Sequence, residues 1–411
     1  MTELLKGIRV IESAMLFNGD RLGSLLGDMG ADVIKVESPG GDYLRDMLGQ
    51  VAPHYSPAHL EVNKNKRSMT LDLRVDAGRA VFWRLLDTAD VFVDGNAGSA
   101  MARLGVGYEQ QQARKPDIVY CQYTGYGSAG PYGTIPTHGQ MMDALVGAMP
   151  TRMGDDGFMH SFVPDTSMGT MRDGGGGPST GAVYAAFAVA AALVQRSRTG
   201  QGVYIDAAGS DAVAVNAWIH LTYALNDKRI TDRSSLPGIR ATGNDEPRYQ
   251  YYATRDGKVL LFCCIEPRFW RNFCRAAGRE DLLTPDQETG PVEFGQNDEL
   301  RRELQRIIVQ RDLADWVRMA AEHRIPMGPA YVSAGELRDD PHLRERELFV
   351  DTEHPAVGPY TNIGLPTIVR GQPYRLHRHA PALGEHTDEV LGELGYPPEE
   401  RASLARQGVV S

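Results

Sequence analysis

A glycine-punctuated hexapeptide, Gly125-Tyr126-Gly127-Ser128-Ala129-Gly130, follows a β-rich run with the GxGxxG spacing that brings backbone amides close to a pyrophosphate. That chemistry needs a helix to open directly after the glycines, so that its first amides face the anion. Here Pro131-Tyr132-Gly133-Thr134-Ile135-Pro136 follows, and such a segment does not extend as a helix. A glycine-rich loop shaping a ligand cleft, with Gly125 and Gly127 as its contact points, is therefore expected in place of a nicotinamide-dinucleotide site.

A second stretch, Lys64-Asn65-Lys66-Arg67, concentrates cations directly before a strand-like run at 68–73. Most short charge runs are solvated loops. The alternative is a βα crevice in which Asn65, Lys66 and Arg67 meet the phosphates of a nucleotide-like cofactor. The net charge of −10 disfavours a nucleic-acid partner, which needs a basic face, but leaves room for such a local cluster. His377 and His379 stand close together, yet no HExxH and no nearby cysteine pair accompanies them, so no metal is expected. Cys121, Cys263, Cys264 and Cys274 form no CxxC and read as reduced thiols.

The elements that must position these residues alternate. Gly7 to Glu12 is strand-like; apolar residues at Leu22, Leu25, Leu26 and Met29 have helical spacing; Gly30 stops that helix, and Asp32 to Glu37 is a second strand. Strand, helix, strand implies a parallel sheet with a right-handed crossover. The alternation continues through a helix at 78–88, strands at 90–93 and 117–123, an Ala-rich helix at 181–195 and a strand at 202–206. Between them Asp173-Gly174-Gly175-Gly176-Gly177-Pro178 reads as irregular. After a polar change of texture, residues 251–264 read as a hairpin turning at Arg255-Asp256-Gly257, followed by amphipathic helices near 268–277, 298–310 and 313–323. A Pro-rich tail ends in a helix near 387–394. The length predicts two domains, and the change of texture marks 221–329 as a smaller α/β one, which leaves 1–220 and 330–411 to a large Rossmann-like α/β domain. No run approaches the roughly 20 apolar residues of a membrane span, and Met1 to Gly7 lacks the pattern of a secretory leader, so a cytoplasmic protein without membrane partners is expected.

An ordered set of segments resembles the family III CoA-transferase and α-methylacyl-CoA racemase superfamily of CaiB/BaiF type. Gly30-Ala31-Asp32-Val33-Ile34-Lys35-Val36-Glu37-Ser38-Pro39-Gly40 is similar to its GADVIKVE-PG signature. Asn63 to Ser68, with Leu71-Asp72-Leu73, resembles its NxNKRS…LDL loop, which in the family lies along the nucleotide of CoA. Arg103-Leu104-Gly105, Tyr120-Cys121 with Gly125-Tyr126-Gly127, Arg198 to Gly202, Pro326 to Pro329, Asp340-Pro341, His354-Pro355 and Leu383 to Thr387 follow in the family's order along nearly the whole chain.

The resemblance implies acyl-CoA and carboxylic acid substrates, an interlocked homodimer, and an aspartate nucleophile that becomes an aspartyl-CoA thioester, with glycine-loop amides stabilising the oxyanion. Asp173 is the candidate, with Gly174 and Gly175 beside it and Asp165 as the alternative; Asp173 stands four or five residues further from the Ala-rich helix than the family pattern. His138 matches the position of the racemase histidine, and Glu266, in Ile265-Glu266-Pro267-Arg268-Phe269, matches the racemase IEPxF glutamate, although the racemase HDxNY continuation is replaced by Gly139-Gln140-Met141-Met142. In place of the family's Phe/Tyr-Arg-Pro-Gly stands Asn96-Ala97-Gly98-Ser99, which leaves phosphate contact to Lys66, Arg67 and Arg103. CoA transfer through Asp173, α-proton exchange through His138, Glu266 and Asp173, and a non-catalytic CoA-thioester-binding subunit all remain compatible with these residues.

Overall fold

The computed structural model describes residues 2–149, 151–161, 176–232, 246–284, 292–294, 298–331 and 333–411. Short runs form the strands β1 (Arg9–Ser13), β2 (Asp32–Glu37), β3 (Lys66–Thr70), β4 (Val91–Asp94) and β5 (Val119–Thr124), then a hairpin of β6 (Thr151–Met153) and β7 (Met159–Ser161), then β8 (Val203–Ala208). Six of these make one parallel sheet in the order β3-β2-β1-β4-β5-β8. The chain builds outward from β1 to β3, then returns to β4 on the other side, so the strand order reverses between β1 and β4. In such sheets the crevice for ligands opens at that reversal, beyond the carboxyl ends of the strands.

Residues alternate across the pleat, and so do the two cores. Ile11, Ile34, Met69, Phe92 and Tyr120 face Val81, Phe82 and Leu85 of the helix Asp76–Asp87, together with Val390, Leu391, Val409 and Val410 from the end of the chain. Val10, Val33, Val91, Val119 and Cys121 face Leu22 and Leu26 of the helix Phe17–Asp28 and Ala182, Ala185 and Val189 of the helix Gly176–Thr199.

This last helix begins earlier than its sequence suggests. Gly176, Gly177 and Pro178, read as irregular, form its first turn, because Asp143 accepts from the amides of Gly176 (2.8 Å) and Gly177 (3.2 Å) and proline is tolerated where no donor is needed. Gly181 is where the helix meets β5: a Cβ there would lie 2.3 Å from the Tyr123 hydroxyl. The helix is also long and apolar enough by length and composition to cross a bilayer, which the sequence reading did not find; its buried side packs on β5, β8 and the helix Phe17–Asp28.

The chain divides into residues 1–224 with 340–411, and residues 225–339. The second unit has an antiparallel sheet of β9 (Tyr249–Ala253), β10 (Val259–Cys263) and β11 (Met327–Pro329), backed by the helices Pro267–Ala277, Asp298–Ile308 and Leu313–His323. Its core centres on Phe262, Trp270, Phe273 and Trp316, with Phe262 and Phe273 packed edge to face at 4.7 Å. In the first unit the tail adds a hairpin of β12 (Phe349–His354) and β13 (Gly358–Ile363), the expected helix at Thr387–Glu393, and a further one at Pro398–Arg406 that the sequence reading missed.

One glycine of the helix Phe17–Asp28 exists to admit a charge. A Cβ at Gly23 would lie 1.6 Å from Oε2 of Glu12, which is buried in an ion pair with Lys66. Helix propensity alone would make Gly23→Ala stabilising by about 1 kcal/mol. Here it is expected to destabilise by at least about 2 kcal/mol, since it breaks a buried pair; a urea midpoint equal to or above the parent's would contradict this.

Candidate active site

The crevice at the strand reversal is a hollow of about 550 Å³. Its walls are Ser13, Ala14 and Met15 after β1, the turn Ser38 to Asp42 after β2, Leu73 and Arg74 after β3, and Asn96 after β4. A second hollow of about 490 Å³ adjoins it through Met101 and is walled by Tyr108, Tyr120 and Tyr204. Asn96 ties the two sides of the reversal together: its side-chain amide donates to Ser13 O (3.1 Å) and to Asp94 Oδ1 (2.9 Å). Arg74 is the exposed cation of the first hollow, with 75% of its side chain accessible, and it forks onto Asp72 with two 2.8 Å bonds. Those bonds hold the Asp72 carboxyl down at about 2. Neither Arg74 nor Asn96 was singled out from sequence as a binding residue. The available signal was position, since a residue just past a parallel strand stands at the carboxyl edge.

Below the crevice lies a set of buried charges. Lys66 Nζ donates to both oxygens of Glu12 (2.9 and 2.8 Å), to Asn63 Oδ1 (3.0 Å) and to Asp20 O (2.8 Å). Lys35 Nζ donates to Asp20, to Asp42 Oδ2 (3.0 Å) and to Ala14 O (3.1 Å). Arg45 forks onto Glu37 (3.1 and 2.8 Å), which also accepts from Ser68. Burial disfavours the charged form of every member, and their mutual attraction opposes it. Burial prevails at Asp20, whose carboxyl is pushed well up, with Glu12 and Asp42 adding to the push. At Asp42 burial is outweighed by Lys35 and by the Leu44 amide, and the carboxyl is held down at about 2. Burial also lowers Lys66 despite Glu12 beside it, whereas around Lys35 the carboxylates of Asp20, Asp42, Glu12 and Glu37 outweigh burial and raise it.

His59 completes the set as a neutral ring. Asn63 Nδ2 donates to its Nδ1 (3.0 Å), and Pro381 O is an acceptor 3.1 Å from its Nε2, so the network assigns the proton to Nε2. Asn63 presents only hydrogens to Nδ1, so a second proton there would find no acceptor. Burial, then the nearby Arg45 and Lys35, push the imidazole down to about 2.

The basic run is engaged within the protein. Lys66 and Arg67 open β3, at the amino edge of the sheet, and neither lines either hollow described above. Arg67 is engaged by Asp32 (2.6 Å), Glu389 (3.1 Å) and Glu393 (2.7 Å). Asn65 accepts from the amides of His377 (2.7 Å) and Arg378 (3.2 Å) and donates to Asp28 (2.8 Å). Arg103 is exposed on the short helix Ala100–Arg103 and donates to Ser99 Oγ (3.0 Å).

Gly127 adopts a left-handed φ of 77° over Asp206, and the amides of Ser128 (2.7 Å) and Ala129 (3.0 Å) donate to the Asp206 carboxylate. Gly125 is needed for close approach, because a Cβ there would lie 2.1 Å from Thr137 Oγ1. No helix follows the motif directly, so the loop amides serve an internal carboxylate rather than a pyrophosphate. His138 is exposed, at the N-terminus of the helix Gly139–Leu145 in the first unit; Glu266 is half-buried at the N-terminus of the helix Pro267–Ala277 in the second. Asp173, Gly174, Gly175 and Asp165 lie outside the described residues.

Comparison with known proteins adds the following. The model of a family described as CoA-transferase family III matches residues 5–387. A succinate–glutarate CoA-transferase from Agrobacterium fabrum is 31% identical over 403 residues, covering 95% of each chain. A succinyl-CoA:mesaconate CoA-transferase from Haloarcula hispanica is 30% identical over 419 residues, covering 95% of this chain and 96% of its own. Among solved structures, an aspartate-to-alanine mutant of Rv3272 from Mycobacterium tuberculosis superposes with a TM-score of 0.72 at 26% identity, covering 94% of this chain and 98% of the other.

The His59 environment makes a pH prediction. The unfolded imidazole protonates near 6.5, whereas the folded one resists protonation down to about 2. The unfolded chain therefore binds the extra proton throughout that window, and stability falls as pH drops below 6.5. By this linkage the parent should lose about 2 kcal/mol more than His59→Gln between pH 6.5 and 4.5. Urea denaturation at the two pH values measures the difference, and parallel losses would contradict it.

Proposed function

Because the chain belongs to CoA-transferase family III, we propose that it moves CoA from an acyl-CoA to a free dicarboxylic acid through an aspartyl-CoA thioester. The observation that carries this reading is the crevice at the carboxyl edge of β1 to β4, of a size for a large thioester, in a chain whose whole length is similar to enzymes named for CoA transfer. Succinate, glutarate and mesaconate, in the names of those relatives, are all dicarboxylates, which supports the acceptor class. The crevice would take the CoA moiety, with Arg74 as the cation nearest its phosphates and Asn96 fixing the strand ends beneath it.

Asp173 is the proposed nucleophile. Its carboxylate attacks the acyl carbonyl, forms a mixed anhydride and releases CoA thiolate. The thiolate then attacks the aspartyl carbonyl, which expels the donor acid and leaves an aspartyl thioester; the acceptor carboxylate runs the same two steps in reverse. The amides of Gly174 and Gly175 would stabilise the oxyanions. Support comes from the helix that starts three residues after Asp173. Asp143 fixes its first turn, and Tyr123, near the carboxyl end of β5, donates to Gly177 O (3.0 Å). Racemisation through His138 and Glu266 has no comparable support.

The homodimer belongs to the same reading. The helix Gly176–Thr199 leaves Val183, Tyr184, Phe187 and Val194 exposed, and the helices Gly209–Asn216 and Trp218–Asn226 leave Val215 and Trp218 exposed, with Phe187 74% and Trp218 63% accessible. Large apolar side chains exposed in this number are what obligate homodimers cover. A second copy wound around the first is the proposed occupant.

Two measurements test the proposal. Succinyl-CoA incubated with a panel of mono- and dicarboxylic acids should yield new dicarboxyl-CoA products by mass spectrometry. Hydroxylamine should trap an aspartyl adduct that Asp173→Ala, folded as judged by circular dichroism, no longer forms, with turnover reduced by at least about 10³-fold. Turnover persisting in that variant would transfer the assignment to another carboxylate. In solution the parent should have twice the 45.1 kDa chain mass and Phe187→Glu should shift toward monomer; an active monomeric parent would remove the dimer.

A further inference from the structure

Ser13, Ala14 and Met15, which lead through Leu16 into the helix Phe17–Asp28, form one wall of the crevice, and the turn from Ser38 to Asp42 forms another. Leu16 sits at φ 62°, ψ −150°, a region that glycine occupies readily and a branched aliphatic side chain does not. Such a conformation costs roughly 1–3 kcal/mol and persists only where the surroundings enforce it. What enforces it here is visible. The Leu16 amide donates to Asp42 Oδ2 (3.0 Å), and the Ala14 carbonyl accepts from Lys35 Nζ (3.1 Å), which itself donates to the same Asp42 oxygen and to Asp20 of the following helix. One ammonium nitrogen thus joins both walls of the crevice to the first turn of the helix Phe17–Asp28.

Stability is a poor reason for this arrangement. Lys35 is 1% exposed and Asp20 and Asp42 are equally enclosed. Well-packed apolar side chains of similar volume often match or exceed a buried ion set in stability. What a methionine in place of Lys35 would lack is a donor that fixes the turn.

We propose that Lys35 and Asp42 are positioning residues that hold the Ala14–Leu16 turn in its left-handed form, so that the crevice keeps the acyl-CoA thioester in register for transfer. This rests on the reading that the crevice takes CoA. Lys35 never touches the substrate; it acts through the backbone of residues 14 and 16. The loss on removing it should therefore fall on kcat, with CoA affinity little changed, because Arg74 and Asn96 contribute their contacts independently of the clamp.

The decisive experiment compares Lys35→Met and Asp42→Asn with the parent. Calorimetric titration with CoA is set beside steady-state transfer from succinyl-CoA, after circular dichroism and a thermal melt establish the fold. The expected result is a kcat at least 30-fold lower for Lys35→Met and at least tenfold lower for Asp42→Asn, with Kd for CoA within threefold of the parent. Asp42→Asn decides alone if Lys35→Met does not fold, since it keeps an oxygen for the Leu44 amide and removes the acceptor of Leu16. A kcat within threefold of the parent in a folded variant overturns the proposal. Equal losses of CoA affinity and kcat also overturn it, because they mark general damage to the crevice. Asn96→Ala and Arg74→Ala serve as the separate control: if neither weakens CoA binding, the crevice reading itself fails.

Discussion

Glu12, Asp20, Lys35 and Lys66, all at or below 1% exposure, place two acidic and two basic groups beneath the middle of a parallel sheet, and the surroundings are organised around that placement. An unpaired charge in such an interior costs several kcal/mol, so each partner must be present and correctly spaced. The consequences spread outward through the backbone. The first helix needs a glycine where Glu12 approaches, Asn63 must present its oxygen to Lys66 and its amide to Asp20 and His59, and the Pro381 carbonyl from the tail must meet both His59 and Arg45. The crevice inherits its shape from this set, because two of its walls are bonded to it.

The same constraint explains which parts of the sequence were readable. The sheet was legible because apolar pairs such as Val10-Ile11 and Val33-Ile34 stand at regular intervals between amphipathic helices, and the second unit because its hairpin and three helices carry strong local patterns. The pairing of the basic run was hidden. Composition tells that Lys66 and Arg67 are charged, but their neutralising partners, Glu12, Asp32, Glu389 and Glu393, stand 35 to 326 residues away in sequence. The early start of the long helix was hidden for a similar reason, since its cap, Asp143, lies 33 residues upstream. Arg74 went unnoticed because nothing in its own neighbourhood distinguishes it; only the direction of β3 brings it to the carboxyl edge.

The glycine motif shows how a local pattern can be reused. In a dinucleotide fold the loop amides would wait for an anion supplied by the ligand. Here Asp206 supplies the anion from the neighbouring strand β8, and the loop is closed before any substrate arrives. Closure pre-organises the edge of β5, where Gln122 also donates to the carbonyls of Asn96 and Gly98 at 2.9 Å each. The ligand-facing rim is thus braced from both β4 and β5, which reduces the ordering that binding would otherwise have to bear.

The return of residues 340–411 to the first unit bears on how the chain is made. Val390, Leu391, Val409 and Val410 fill the face of the sheet that also carries Ile34 and Met69. When the ribosome has completed β8, the helix Asp76–Asp87 is already available to cover part of that face, and the part that the tail fills waits while the whole second unit emerges. At ordinary elongation speeds that interval is on the order of ten seconds. The last segment to be made thus closes a core whose other members were synthesised about 300 residues earlier.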